Sequence, residues 1–295
     1  MDNLIELECS KSPMAPEPQL SITTAPLNLL TGGSYVDLHT TLDTMKRLAQ
    51  EKTVSGFELQ DLAEWDIRGP PRDIRTKKHR LDVWSTCEKH DLEEKIELTS
   101  HSSILSIHAN RDVGIYLCSE DESEISHGRQ LIRETLQLAD AIGAHQAVFH
   151  LWDTWATNFD PNVLRDELAK IAALYPAVIP SVENVPTHLE GSTPYDNLEE
   201  FKWITLDTRW AGMYEELDAF SDVVERISNV HLRGSLENSQ WQLHGAPYSF
   251  EEALQKIHRE WGYRGLFTIE PERSSSVPTW NGIRNAMMSL WEKII

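Results

Sequence analysis

Six residues able to bind a metal or move a proton recur at one kind of place in this chain. Short apolar runs rich in β-branched residues end, one after another, in His108, His150, Glu183, Asp207, His231 and Glu270. Histidine, aspartate and glutamate together make up 12 + 47 = 59 of the 295 residues. With about one residue in five of this type, six successive run ends are not an accident of composition. Imidazole with carboxylate and no thiolate suits Zn, Mn, Fe or Co in a site open to substrate. Carboxylates gathered without a cation would drive one another toward protonation, and a divalent ion removes that penalty.

The runs over 21–25, 54–59, 103–108, 145–151, 177–183, 203–207, 229–232 and 266–270 read as eight strands. Segments of helical period separate them, over 35–51, 83–98, 122–142, 160 onward, 195–201, 215–227, 249–262 and from Pro278 to the end. In 122–142 the residues Ile125, Ile132, Leu136 and Ala139 share one face, the spacing of an amphipathic helix. Asp160-Pro161 supplies a cap and a first-turn proline, and Ser249 caps a helix that Gly262 ends. Gly69-Pro70-Pro71 breaks the pattern, Arg72 to Arg80 reads as a solvated loop or short helix, and Gly32-Gly33 as a turn.

Eight βα units with no linker predict an α/β fold, a single (β/α)8 TIM barrel over residues 20–295, behind a proline-bearing arm over 1–19. An open doubly wound sheet is the alternative, and it lacks the GxGxxG that would follow its first strand. In a barrel all strand C-termini face one mouth, so the six residues would meet there.

The formal charge is 27 − 47 = −20, which repels phosphate backbones and argues against nucleic acid as a partner. No apolar run reaches membrane-spanning length, and Met1 to Gln19 does not have the basic-then-apolar order of a signal peptide. The expectation is a cytoplasmic protein with a small-molecule substrate and no membrane partner, with self-association left open. Cys9, Cys87 and Cys118 are odd in number and lack CxxC spacing, which disfavours both a disulfide framework and a thiolate zinc site.

The segments SIHAN, VFHLWD, PSVENVP, ITLDT, VHLRG, LHGAPYSFEEAL and GLFTIEPE, in this order over residues 104–272, resemble the xylose isomerase-like barrel superfamily. That group includes sugar and sugar-phosphate isomerases and epimerases, inosose-type dehydratases and isomerases, and endonuclease IV. The resemblance implies that Glu183, Asp207, His231 and Glu270 hold one divalent metal, Mn, Co, Zn or Fe. It further implies that Glu183 and Glu270 pass a proton between them through a metal-stabilised enediolate of a hydroxy-carbonyl substrate. His108 and His150 match the histidines that bind a second metal in endonuclease IV and its relatives, so one or two ions per chain remain open. The chain departs from the pattern at Trp210, where many members carry a histidine, and at Gln242, where endonuclease IV has an aspartate two residues before the position of His244. Gly234 and Ser235 replace the acidic residue that often follows the strand-seven histidine.

Around this set, His244, Arg233, Trp210, Trp152 and Glu58 are candidate substrate-binding residues. Glu58 could bond a substrate hydroxyl or be an exposed loop carboxylate. Arg233 and Arg273 could fork onto a substrate anion, or pair at the surface with Glu237 or Glu272. Trp152, Trp155, Trp210 and Trp241 could form an apolar wall at the mouth or serve as packing residues. His127, His188 and His258 read as surface or helix histidines. The leading reading is a metal-dependent isomerase or epimerase of a small sugar or sugar-like acid. Its alternatives are a two-metal hydrolase of endonuclease IV type and a barrel that binds metal or sugar without catalysis.

Overall fold

Eight parallel strands pair edge to edge and close on themselves. β1 (Gln19–Thr23), β2 (Gly56–Gln60), β3 (Ile104–His108), β4 (Gln146–Phe149), β5 (Ile179–Glu183), β6 (Ile204–Asp207) and β7 (Ile227–Glu237) pair in chain order. After the short β8 (Gln240–Gln242), β9 (Leu266–Glu272) pairs with both β7 and β1 and completes the (β/α)8 barrel. This computed structural model describes residues 17–24, 27–31, 38–60, 96–97 and 99–294. The arm before residue 17, Gly32-Gly33, the start of the helix expected from residue 35, Gly69-Pro70-Pro71, the basic stretch 72–80, most of the helix expected over 83–98, Cys9 and Cys87 lie outside the described residues. Among the described residues no helix is long and apolar enough to cross a membrane.

The helices around the barrel are α1 (Leu27–Thr31), α2 (Leu38–Gln50), α3 (Val113–Leu117), α4 (Glu122–Ile142), α5 (Pro161–Ala172), α6 (Pro194–Leu198), α7 (Thr208–Met213), α8 (Phe250–Gln255) and α9 (Trp280–Ile294). Local chemistry sets several of their ends. Asp121 accepts the Ser123 amide at 2.7 Å to start α4, and Gly143, at φ 74°, stops it. Asp160 and Pro161 open α5, and Ser249 with Glu252 forms a reciprocal capping box at α8. Along α4 the side chains of Leu131, Ile132, Leu136 and Ala139 are buried, while Ile125 is half-exposed.

Two-residue alternation sorts each strand into two faces. Leu20, Ile22, Phe57, Ile107, Ala147, Val182, Leu206, Val230, Phe267 and Ile269 are buried in the shell between strands and helices. The opposite face of the same strands carries hydroxyls, amides and charges, and these are buried too. Ser21 bonds Thr268 at 2.7 Å, Thr268 donates to Asn229 at 2.9 Å, and Asn229 and Ser106 donate to Glu58 at 3.0 and 2.8 Å. Across the lumen Gln146 donates to Ser181 and Ser228 at 2.8 and 2.9 Å, and Ser181 meets Thr205 at 2.6 Å. Barrel interiors are usually filled by branched aliphatic layers. Here a hydrogen-bonded polar layer fills the lumen just below the strand ends.

Helices α1, α3 and α7 were not expected from the sequence, and three further elements differ from the expectation. The helix expected over 215–227 is a 3-10 segment, Leu217–Arg226, broken at Val223, where φ is −128°. Leu217 and Phe220, its buried residues, stand three apart, the repeat of a 3-10 turn, and Glu216 offers no side-chain cap to start an α-helix. The helix from Ser249 widens into a π-turn over Lys256–Glu260 before Gly262. Strand seven runs on to Glu237 and folds back through Asn238-Ser239 into β8, antiparallel to it. Both turn residues have positive φ, 50° and 62°, the pattern of a two-residue hairpin turn.

Candidate metal centre

Two residues beyond the polar layer along β3, β5, β6, β7 and β9, the strand ends meet. Glu183 closes β5 with its carboxylate fully buried, and its Oε2 lies 3.2 Å from His108 Nε2, 3.0 Å from His150 Nε2 and 3.5 Å from His231 Nδ1. Glu270 Oε1 approaches the same His231 Nδ1 at 3.4 Å. Asp207 divides its two oxygens. Oδ1 accepts the Arg209 and Trp210 amides at 2.8 and 3.0 Å and so caps α7, which leaves Oδ2 to face the cluster. Asn184 ties β5 to β6 by accepting the Asp207 amide at 2.6 Å and donating to its carbonyl at 3.1 Å, which fixes the spacing between Glu183 and Asp207.

Arg233 stands in the middle of the acids. Its Nη2 lies 2.9 Å from Asp207 Oδ2, against Glu270 Oε2, and 3.9 Å from Glu183 Oε1. The surface partners considered for it, Glu237 and Glu272, are occupied elsewhere: Ser275 bonds Glu237, and Arg209 pairs with Glu272. The guanidinium lies inside because β7 alternates His231, Leu232, Arg233, which returns residue 233 to the lumen face. Burial works against the charged form of Arg233, and Asp207 and Glu270 more than reverse that, holding it charged.

Burying ionised groups costs on the order of several kcal/mol each unless they are paired, and the titration of this cluster shows where the pairing falls short. Burial pushes Asp207 up to about 7 despite Arg233. In Glu183 burial also acts upward, but His150, His231 and His108 outweigh it and hold the carboxyl well below the usual range. His231 is raised well above an ordinary histidine: burial disfavours its charge, and Glu58, Glu270 and Glu183 overcome that. His150 is lowered, chiefly by burial.

Four buried atoms of the site, Glu58 Oε1, Glu183 Oε1, Asp207 Oδ2 and His231 Nδ1, have no hydrogen-bond partner among the described residues. Three overlapping groups can each bring one ligand atom per residue within 4.8 Å of one another: Glu183, Asp207 and His231; His108, His231 and Glu270; His108, His150 and Glu183. Carboxylate oxygens and an imidazole nitrogen that face one another at ion-pair distance without hydrogen bonds are the donor set a divalent ion takes. The residues present fit such an ion.

The remaining candidates scatter. Glu58 is neither an exposed loop carboxylate nor at the mouth. It is fully buried in the polar layer, and its Oε2 lies 3.2 Å from His231 Nε2. Burial would raise its pKa, yet His231 and then His108 hold it below the ordinary value. Of the four tryptophans only Trp210 lines the mouth, with the Arg233 guanidinium 5.0 Å from its ring. Trp152 is buried, donating to the Pro186 carbonyl at 3.1 Å, where a Cβ on Gly114 would come within 2.3 Å of its backbone. Trp241 packs on Phe250, and Trp155 is exposed and stacks on His188. His244 bonds Ser235 at 2.8 Å and does not line the cavity. His258 is buried rather than at the surface, beside the Tyr263 carbonyl.

Above the cluster a cavity of about 360 Å³ opens at the strand C-termini between Thr23, Gln60, His108, His150, Trp210 and Glu270. No family model and no curated protein matches the chain. Solved structures do. D-allulose 3-epimerase from Methylomonas sp. superposes with a TM-score of 0.60 at 16% identity, over 96% of this chain and 100% of its own. The chain shares the (β/α)8 barrel fold of this epimerase. L-ribulose 3-epimerase gives a TM-score of 0.59 at 16% identity over 94% of each chain. A sugar phosphate isomerase/epimerase from Parabacteroides distasonis gives 0.58 at 12% over 95% and 97%. At these identities the shared feature is the fold.

Within that fold, the residues not anticipated as part of the site are Asn184, Ser106 and Asn229. A signal for the last two was present. Five strands read polar, apolar, then metal-competent (Ser106-Ile107-His108, Ser181-Val182-Glu183, Thr205-Leu206-Asp207, Asn229-Val230-His231, Thr268-Ile269-Glu270), so the layer beneath the site has the same parity as the site.

Proposed function

We propose that this chain is a divalent-metal-dependent isomerase or epimerase of a small sugar or sugar-like hydroxy-carbonyl compound. The observation that carries the reading is that Glu183 and Glu270 both reach His231 Nδ1, within 3.5 Å, in one buried cluster with Asp207. The cavity above it, about 360 Å³, is of a size for a small sugar. Glu183, Asp207, His231 and Glu270 would hold the ion, as Mn, Co, Zn or Fe. When bound, it would polarise the substrate oxygens and acidify the neighbouring C–H. Glu183, kept ionised by the histidines around it, takes that proton. Glu270, at the cavity wall, delivers a proton to the enediolate carbon. The enzyme works on a small molecule in the cytoplasm, without nucleic acid or membrane as a partner.

The triad His108, His150 and Glu183 supports a second reading, a two-metal hydrolase with Glu183 shared between ions. Metal analysis of protein purified without chelator separates the two: about one ion per chain for the isomerase, two for the hydrolase. Solvent deuterium entering the carbon next to the carbonyl of a ketose panel tests the chemistry, and Glu183→Gln or Glu270→Gln should abolish it. Unchanged exchange and metal content in both variants would exclude this function, and absence of both ion and exchange in the wild type would leave a non-catalytic barrel.

A further inference from the structure

Two guanidinium groups at the cavity have no acid to neutralise them among the described residues. Arg111, in the turn between β3 and α3, and Arg273, just past β9, both line the cavity and are exposed. The acids of that rim are already engaged, Glu270 by Arg233 and Glu272 by Arg209. Glu237, the other acid considered as a partner for Arg273, is held by Ser275. Among the described residues, Arg111 and Arg273 make no ion pair. Around the barrel β1 and β2 separate the strands that carry them, so they flank the opening from two sides.

Unpaired cations on the rim of one cavity are notable in a chain with a formal charge of −20. On the floor below them Arg233 is already taken up by Asp207 and Glu270, so it is not free to pair with a substrate anion. The cations left unpaired are those of the rim, which places an anionic group there and the hydroxy-carbonyl end down at the cluster. Guanidinium is suited to that task because its planar fork binds carboxylate or phosphate oxygens in pairs.

We propose that the substrate is an anion, a hydroxy-carbonyl compound bearing a carboxylate or phosphate at the end remote from the reacting carbons, and that Arg111 and Arg273 hold that group. The assignment rests on the isomerase reading for the reacting end and on the two arginines for the charged end. Both lie at the surface, so their replacement leaves the core intact.

Calorimetric titration of the metal-loaded full chain with D-fructose, D-fructose 6-phosphate and D-fructuronate tests it. The expected result is that one anion binds at least about tenfold tighter than fructose, a difference typical of charged hydrogen bonds. Which anion it is distinguishes phosphate from carboxylate. In Arg111→Gln/Arg273→Gln that preference should collapse, and in the wild type it should shrink with added salt. Equal affinity for fructose and both anions, no binding of either anion at millimolar concentration, or a preference that survives in the double variant would overturn the proposal. Deuterium exchange measured on the same compounds is scored separately. Arginine-dependent anion binding without exchange would refute the isomerase reading and leave the charge recognition standing, while exchange of fructose as fast as of the anions would do the reverse.

Discussion

Glu58 is the residue whose part was least legible from the sequence. Its strand and position were readable, but whether its carboxylate faced solvent or lumen depended on a register irregularity between Phe57 and Glu58 where β2 meets β3. The structure places it behind His231, bonded to Nε2, so that Nδ1 is the nitrogen turned to Glu183 and Glu270. A carboxylate behind a ligand histidine fixes the ring and raises its basicity, and removing such a group typically costs about 10–100-fold in metal affinity. Glu58→Gln, which keeps the shape and the bonds to Ser106 and Asn229, should therefore weaken metal binding by that factor in a chelator competition while the circular dichroism spectrum stays unchanged. Unaltered affinity would show that Glu58 is merely a member of the lumen network. Asp207 carries a pH prediction. Its folded pKa of about 7 lies above the ordinary aspartate value of 3.8, so between these values the folded apoprotein holds a proton that the unfolded chain has given up. This group's contribution to apoprotein stability is present at low pH and declines as pH rises from about 4 to about 7. An incoming ion must displace the proton, so metal uptake at pH 6 should release protons and its heat should change with buffer ionisation enthalpy. A heat independent of buffer would contradict this.

At the scale of elements, the eight strands were readable because each alternates a polar lumen residue with an apolar shell residue, and their C-terminal ends carry the charge. The least readable pieces were those governed by local turn geometry. The β7–β8 hairpin depends on two residues, Asn238 and Ser239, in the left-handed region. Asparagine tolerates that conformation better than serine does. Placing glycine at 239 should relieve about 1–2 kcal/mol of strain against about 0.4–1 kcal/mol of added unfolded-state entropy. The net expectation for Ser239→Gly is a gain of about 0.5–1 kcal/mol, read as a higher urea midpoint at unchanged slope. A lower midpoint would mean that the serine side chain contributes more than its backbone costs. The 3-10 segment was missed for a related reason: Leu217 and Phe220 satisfy the early spacing of either helix type, and the absence of a cap decides between them.

For the whole molecule, the small share of the acid that lies inside the barrel sits where it can be offset. Four buried carboxylates, Glu58, Glu183, Asp207 and Glu270, share the lumen end with one permanent cation, Arg233. Removing that cation should cost about 3–5 kcal/mol, the loss seen when one member of a buried ion pair is deleted. The loss should be large in Arg233→Met stripped of metal and much smaller in the same variant with a divalent ion, as measured by urea unfolding with and without chelator. Equal losses in both would deny that arginine and ion serve the same charges. The sequence placed this arginine beyond a strand end but could not place it inside, because that follows from β7 continuing in register with β9 through Arg233 opposite Glu270. Its internal seat bears on how the protein is made. A chain that carries its own counter-charge can close its barrel before any ion arrives, unlike small domains that fold only around their metal. On the proposed metal-dependent reading, an ion would be fitted last, into a finished socket. Because affinities of such donors rank the divalent metals in a fixed order regardless of need, the surrounding supply at the moment of loading, rather than the folding of the chain, would decide which element a metal-dependent enzyme of this build carries.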